Sequence, residues 1–130
     1  MILSKEKTPV HEKVLRTITS YLKKKGYENI KAQGIDEYQD PAHITRKGAN
    51  ESFTPDLTAR RDGIKHYFEV VNYPKKDKSL IVSKWMILST LAKQLNGKLH
   101  LMVPHGQMSF TNRILQSNNI EAHVLSLKEI

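Results

Sequence analysis

Hydrophobic residues recur at helical spacing near the start of the chain, where Val10, Val14, Ile18, Tyr21 and Leu22 fall on one side. Thr8 followed by Pro9 reads as an N-cap and first helical position, and Gly26 stops the helix. Tyr27 to Ile35 predicts a strand. Residues 36–52 are polar, carry Asp40-Pro41 and Gly48, and predict a loop of a length unusual inside a compact domain. Phe53 to Arg60 and Ile64 to Tyr73 predict two strands joined by a turn at Arg61-Asp62-Gly63. Ser79 to Leu95 predicts the strongest helix, ended by Asn96-Gly97. A strand over Lys98 to Val103, a shorter helix over Gln107 to Ser117 and a last strand over Ile120 to Leu127 complete the chain. The predicted order is αβββαβαβ, an α/β fold in one domain spanning 1–130.

Composition narrows the function classes. The chain has 130 residues and no cysteine, which excludes a disulfide framework and a thiolate metal site. The N-terminus is too short and too charged for a signal peptide, and no apolar run is long enough to span a membrane. A soluble, cytoplasmic protein is expected, with no membrane partner. Lys and Arg number 21 against 13 Asp and Glu, a net charge of +8 that favours a polyanion such as nucleic acid. Lys23-Lys24-Lys25 ends a helix, where cations suit the dipole. Lys75, Lys76 and Lys78 follow the second motif strand, and helix capping explains them less well.

The chemistry concentrates in residues 53–72. Asp56 follows Pro55, and Glu69 lies on the partner strand across the Gly63 turn. Two carboxylates on neighbouring strands can converge on one hard cation, which takes oxygen ligands and keeps several waters. Asp56 could instead be a turn acid. Glu69 stands among Tyr67, Phe68, Val70 and Val71, and a carboxylate in so apolar a strand must be paired, protonated or bound to metal. A structural pair with Lys65 or Arg60 is the alternative. Alternation puts Tyr67, Glu69 and Val71 on one face, and Phe68, Val70 and Asn72 on the other.

Pro55-Asp56, the hairpin, Glu69-Val70-Val71 and the order of elements together resemble the PD-(D/E)xK nuclease superfamily, over nearly the whole chain. The resemblance implies a restriction-endonuclease-like or Holliday-junction-resolvase-like fold, with a mixed central β-sheet flanked by helices. It implies a metal-dependent DNA endonuclease that hydrolyses phosphodiesters. Asp56, Glu69 and the Val70 carbonyl would hold Mg2+ or Mn2+. Lys75, Lys76 and Lys78 would grip the backbone of DNA, branched or damaged. A homodimer fits as well, since cutting two strands takes two sites.

The chain departs from the family at one point: Val71 stands where the motif lysine belongs. With about 100° per residue from Leu80, the apolar residues Ile81, Ile87, Leu88, Leu91, Ala92 and Leu95 span roughly −20° to 120°, and Lys84 falls at about 40° among them. Lys84 either reaches the Asp56–Glu69 pair, as in relatives whose lysine has moved to this helix, or snorkels to solvent. Trp85 falls at the edge of the stripe, near 140°. On the first helix, where the family often supplies a Glu, Glu12 falls off the apolar stripe and His11 on it. His11 is thus the better-placed candidate, with a half-buried helix-start histidine as the alternative. The other histidines show no zinc-ligand spacing. The rival to a nuclease is a catalytically inactive module of the same fold that binds nucleic acid or protein, and Val71 motivates it.

Overall fold

The computed structural model describes residues 9–45, 52–71 and 78–130. Helix α1 (Pro9–Lys24) leads into β1 (Glu28–Ala32). Two short strands, β2 (Ile44–Thr45) and β3 (Ser52–Phe53), pair as a separate antiparallel ribbon. Then come β4 (Leu57–Arg61), β5 (Ile64–Val70), α2 (Lys78–Gln94), β6 (Leu99–Val103), α3 (Met108–Asn118) and β7 (His123–Ser126). The five long strands form one mixed sheet in the order β1-β4-β5-β6-β7. The first two pairings are antiparallel and the last two parallel.

Local chemistry explains the joints. Asp62 and Gly63 both take positive φ (55° and 78°), the mirror-image turn that suits a two-residue hairpin loop, and Arg61 pairs with Ile64 across it. The parallel pairs need helical crossovers, supplied by α2 and α3. α1 closes with Gly26 left-handed at φ 88° and Tyr27 N–H donating to the Leu22 carbonyl. At the end of α2 the left-handed residue is Asn96, not a glycine, while Gly97 N–H donates to the Ala92 carbonyl.

The sheet is covered on both faces. α1 packs Leu15, Ile18 and Leu22 against Leu57, Ala59, Phe68 and Met102. On the other face Trp85, Leu88 and Ala92 of α2 and Ile114 of α3 pack against Tyr67, Val71, Leu99, Leu101 and Val103. Residues 66–71 thus alternate between two cores, as the period of a strand requires.

Three sequence expectations need correction. The segment 36–52 is not wholly loop, because Ile44–Thr45 folds back on Ser52–Phe53 and packs with the α2 core. The strand expected over Phe53 to Arg60 is broken at Thr54-Pro55-Asp56: Pro55 has no N–H for a ladder, and β4 begins only at Leu57. The buried side of α2 is also rotated from the expected stripe. Leu80 and Leu95 are 58% and 52% exposed, whereas Trp85 is core. The buried arc includes Ser89, whose hydroxyl donates to the Glu121 carbonyl at 2.7 Å, and a polar-looking serine hides such an arc from a hydrophobicity wheel. No helix among the described residues is long and apolar enough to cross a membrane.

Gly97 carries a sharp test of this packing. A Cβ there would stand 1.9 Å from the Lys65 carbonyl oxygen, a backbone atom that cannot swing away. Gly97→Ala is expected to cost about 3 kcal/mol, the upper range for forced overpacking, measured as a lower urea midpoint with unchanged slope.

Candidate active site

Asp56 and Glu69 meet at the end of the sheet where β5 finishes, by a reciprocal pair of hydrogen bonds. The Asp56 backbone N–H donates to Glu69 Oε2 at 2.9 Å, and the Val70 backbone N–H donates to Asp56 Oδ2 at 2.9 Å. Each carboxylate is therefore fixed by the main chain of the other's strand. The break at Pro55 is what makes this possible. With no ladder there, the Asp56 amide is left to point at a side chain.

The Val70 carbonyl belongs to the same corner. Val71 N–H donates to the Met102 carbonyl on β6 at 2.9 Å, so residue 70 presents its own N–H and C=O to the opposite edge, toward Asp56. Two carboxylates and a carbonyl form an all-oxygen donor set, which suits a hard divalent ion that retains water and not a zinc-type site. Among the described residues no group of three or more His, Cys, Asp or Glu is arranged to hold a metal. Asp56, Glu69 and the Val70 carbonyl are the groups at this corner that could hold such an ion.

Lys84 closes the site from the helix. Its Nζ lies 3.0 Å from Glu69 Oε1, with the lysine side chain 25% exposed and the glutamate side chain 5% exposed. Lys84 does not escape to solvent, and neither Lys65 nor Arg60 is the partner of Glu69. Val71, on the same face as Glu69, belongs to the core with Trp85 and Leu88. A strand lysine at 71 would enter that core, whereas a helix lysine approaches from the rim.

Burial first, and the charge of Asp56 second, push the Glu69 carboxyl up to about 8, against the pull of Lys84 and the Asp56 amide. Burial works against the charge of Lys84, but Glu69 and Asp56 outweigh it and hold the ammonium above its ordinary value. Glu69 thus holds a proton more tightly than an ordinary carboxyl does, beside a charged lysine, and a divalent cation would compete for that proton's place.

Other residues fall around this centre. Phe53, from the β2–β3 ribbon, has its ring 5.8 Å from Lys84 Nζ and covers the cation. Sequence reasoning placed Phe53 at the start of the first motif strand and gave it no part in the site, because its ribbon partner Ile44–Thr45 read as loop. On β5, Lys65 and Tyr67 share the Glu69 face. Beyond them a cavity of about 110 Å³ is lined by Lys31, Arg60 and Lys65, with Thr58 and Asn29 and no carboxylate. Lys78 is exposed at the start of α2, whereas Lys75 and Lys76 lie outside the described residues. The side chain of His11 also lies outside them. Its helix packs on the Phe68 face of the sheet, opposite to Glu69. Glu12 faces Arg16 at 2.8 Å, and Arg16 bridges to Glu37.

Two solved structures share the fold. A crystal structure described as an fdxN element excision controlling factor protein from Anabaena variabilis matches with a TM-score of 0.53 at 21% identity, over 90% of this chain and 93% of that one. An XisH family protein from Nostoc punctiforme matches with a TM-score of 0.50 at 16% identity, over 91% of each chain. No protein-family model and no curated protein matches the sequence. At these identities the likeness extends to the fold.

The site sets a pH dependence of known sign. Glu69 binds its proton more tightly folded than unfolded, so its contribution to stability is full below its ordinary 4.5 and declines as the pH rises to about 8. Urea midpoints of the parent should fall across that window relative to Glu69→Gln, which carries no titrating group there. Parallel pH profiles for the two proteins would contradict the assignment.

Proposed function

We propose that this protein is a divalent-metal-dependent DNA endonuclease of the PD-(D/E)xK type, with its lysine supplied by α2. The observation that carries this reading is the 3.0 Å contact of Lys84 Nζ with Glu69 Oε1, beside the clamped Asp56. An acid pair and a cation so placed, at the end of a β-hairpin, are what phosphodiester hydrolysis requires.

Magnesium or manganese bound by Asp56, Glu69 and the Val70 carbonyl would lower the pKa of a bound water and polarise the scissile phosphate. The chain's own groups do the rest. Glu69 Oε1 orients Lys84, whose ammonium donates to a phosphate oxygen and stabilises the charge that develops in the transition state. The reciprocal amide bonds keep both carboxylates in place without reorganisation. The Phe53 ring and the α2 core keep water off the buried side of Lys84. Lys31, Arg60 and Lys65, on the sheet beyond Tyr67, hold flanking phosphates, joined by Lys78, Lys75 and Lys76. Such contacts give affinity that falls with salt and reads no sequence. The name of one structural neighbour, an element excision controlling factor, accords with DNA as substrate.

Val71 favours a second reading, a module of this fold that binds DNA without cutting it. Its signature is salt-sensitive binding that ignores chelation.

Cleavage of branched, single-stranded and duplex DNA with magnesium or manganese separates the two. Asp56→Ala should abolish activity, and Lys84→Met should lower kcat by roughly 100-fold or more while the protein stays folded at neutral pH, since Glu69 can keep its proton. Cleavage that survives Asp56→Ala, or is equal in Lys84→Met, defeats the proposed roles.

A further inference from the structure

A second polar cluster lies on the other face of the sheet and toward the other end of the strands. His66, His100 and His123 stand side by side on β5, β6 and β7. His100 Nε2 lies 3.1 Å from His66 Nδ1, and His100 Nδ1 lies 3.1 Å from His123 Nδ1. The direction of these bonds follows from one backbone group. Lys98 N–H donates to His66 Nδ1 at 3.2 Å, so that nitrogen is a lone pair and the proton of neutral His66 is on Nε2. His100 then donates from Nε2 to His66, and accepts at Nδ1 from His123. His100, at the centre, is 9% exposed and stacks on Phe68 at 4.6 Å.

The charges around this chain are of one sign. Lys25 from the end of α1, Arg61 from the end of β4 and Lys98 from the approach to β6 line a cavity of about 390 Å³ together with the three histidines. The remaining lining residues are Tyr21, Tyr27 and aliphatic or aromatic side chains, and no carboxylate is among them. Arg61 lies over the Tyr27 ring at 4.7 Å and donates to the Lys25 carbonyl at 3.4 Å, so the α1 C-terminus offers it only a partial charge. Glu121, on the approach to β7, is engaged by Lys93 at 2.8 Å. Burial first, then the neighbouring histidines, Lys98 and Arg61, hold His100 down to about 3, and burial with Arg61 and Lys98 lowers His66. The site is thus a concave collection of cations over three imidazoles, with no carboxylate among its lining residues.

We propose that this cavity binds the dianion of a phosphomonoester, through Arg61, Lys98 and Lys25, over a floor formed by the three imidazoles. Three cationic side chains around one concave site match a tetrahedral group that presents several oxygens. The volume exceeds that of a bare phosphate, which leaves room for the group it is esterified to. The ligand is either a free phosphate or nucleotide, or the terminal phosphate of a nucleic-acid strand. Both are distinct from a scissile phosphodiester at Asp56, because the two sites use opposite faces of the sheet.

The test titrates the protein with inorganic phosphate at neutral pH and follows the imidazole signals by NMR. The rings of His66, His100 and His123 should shift saturably, while His43 and His105, which do not line the cavity, should not. Arg61→Ala and Lys98→Ala should each weaken binding by roughly 10-fold, and Lys98→Ala keeps the backbone N–H that orients His66. Glu69→Gln should bind as the parent does, which separates this site from the proposed nuclease centre. Adenosine monophosphate that binds as phosphate does, while adenosine does not, identifies a free ligand. A 5′-phosphorylated oligonucleotide that binds more tightly than its 5′-hydroxyl twin, with the difference lost in Arg61→Ala, identifies a strand end. No saturable shift by about 10 mM phosphate, or equal shifts in both alanine variants, overturns the proposal.

Discussion

The exchange of hydrogen bonds between Asp56 and the β5 strand fixes more of this molecule than any other contact. A buried carboxylate is tolerated only with partners. Glu69 has two, the Asp56 amide just ahead of β4 and an ammonium from α2, and its burial raises its hold on a proton. A slip of one residue between β4 and β5 would turn Glu69 to the Phe68 face under α1, away from Lys84 and the Asp56 amide. The polar site therefore enforces the register that the apolar residues also prefer. The two cores and the acid pair agree on one alignment, and such agreement between levels is what gives a sequence a single fold.

Much of this was legible in the sequence. The Asp62-Gly63 turn, the alternation through residues 67–71 and the long helix after the hairpin were visible because each depends on neighbours in the chain. Lys84 was visible as a lysine out of place on a helical face. Its partner could be guessed but not read, because the docking angle of α2 is a tertiary property. The wheel for α2 misjudged which side is buried: it counted Leu80 and Leu95, and undercounted Trp85 and Ser89. α3 and the approach to β7 decide that side, through contacts such as Ser89 with Glu121.

The histidines show the same limit from the other direction. His66, His100 and His123 have no motif spacing, and they look unrelated along the chain. Parallel pairing sets His100 beside Phe68 and His123 beside His100. Only strand order could reveal that they touch. Phe53 was read as the start of a strand, but its place over Lys84 depends on pairing with Ile44, and a two-residue strand carries too little pattern to separate it from loop.

The division of the acid pair and its cation between two kinds of element has a further consequence. Asp56 and Glu69 ride on a hairpin held by its own ladder. Lys84 rides on a helix held to that hairpin by side-chain packing at Trp85, Leu88 and Ala92, and by the close approach of Gly97 to Lys65. The constellation is complete only while α2 is docked. Local opening of that helix, short of global unfolding, would leave the carboxylates in place and remove the cation. The chemistry of this corner thus reports on the seating of one helix, and anything that loosens or braces α2 acts as a dial on it.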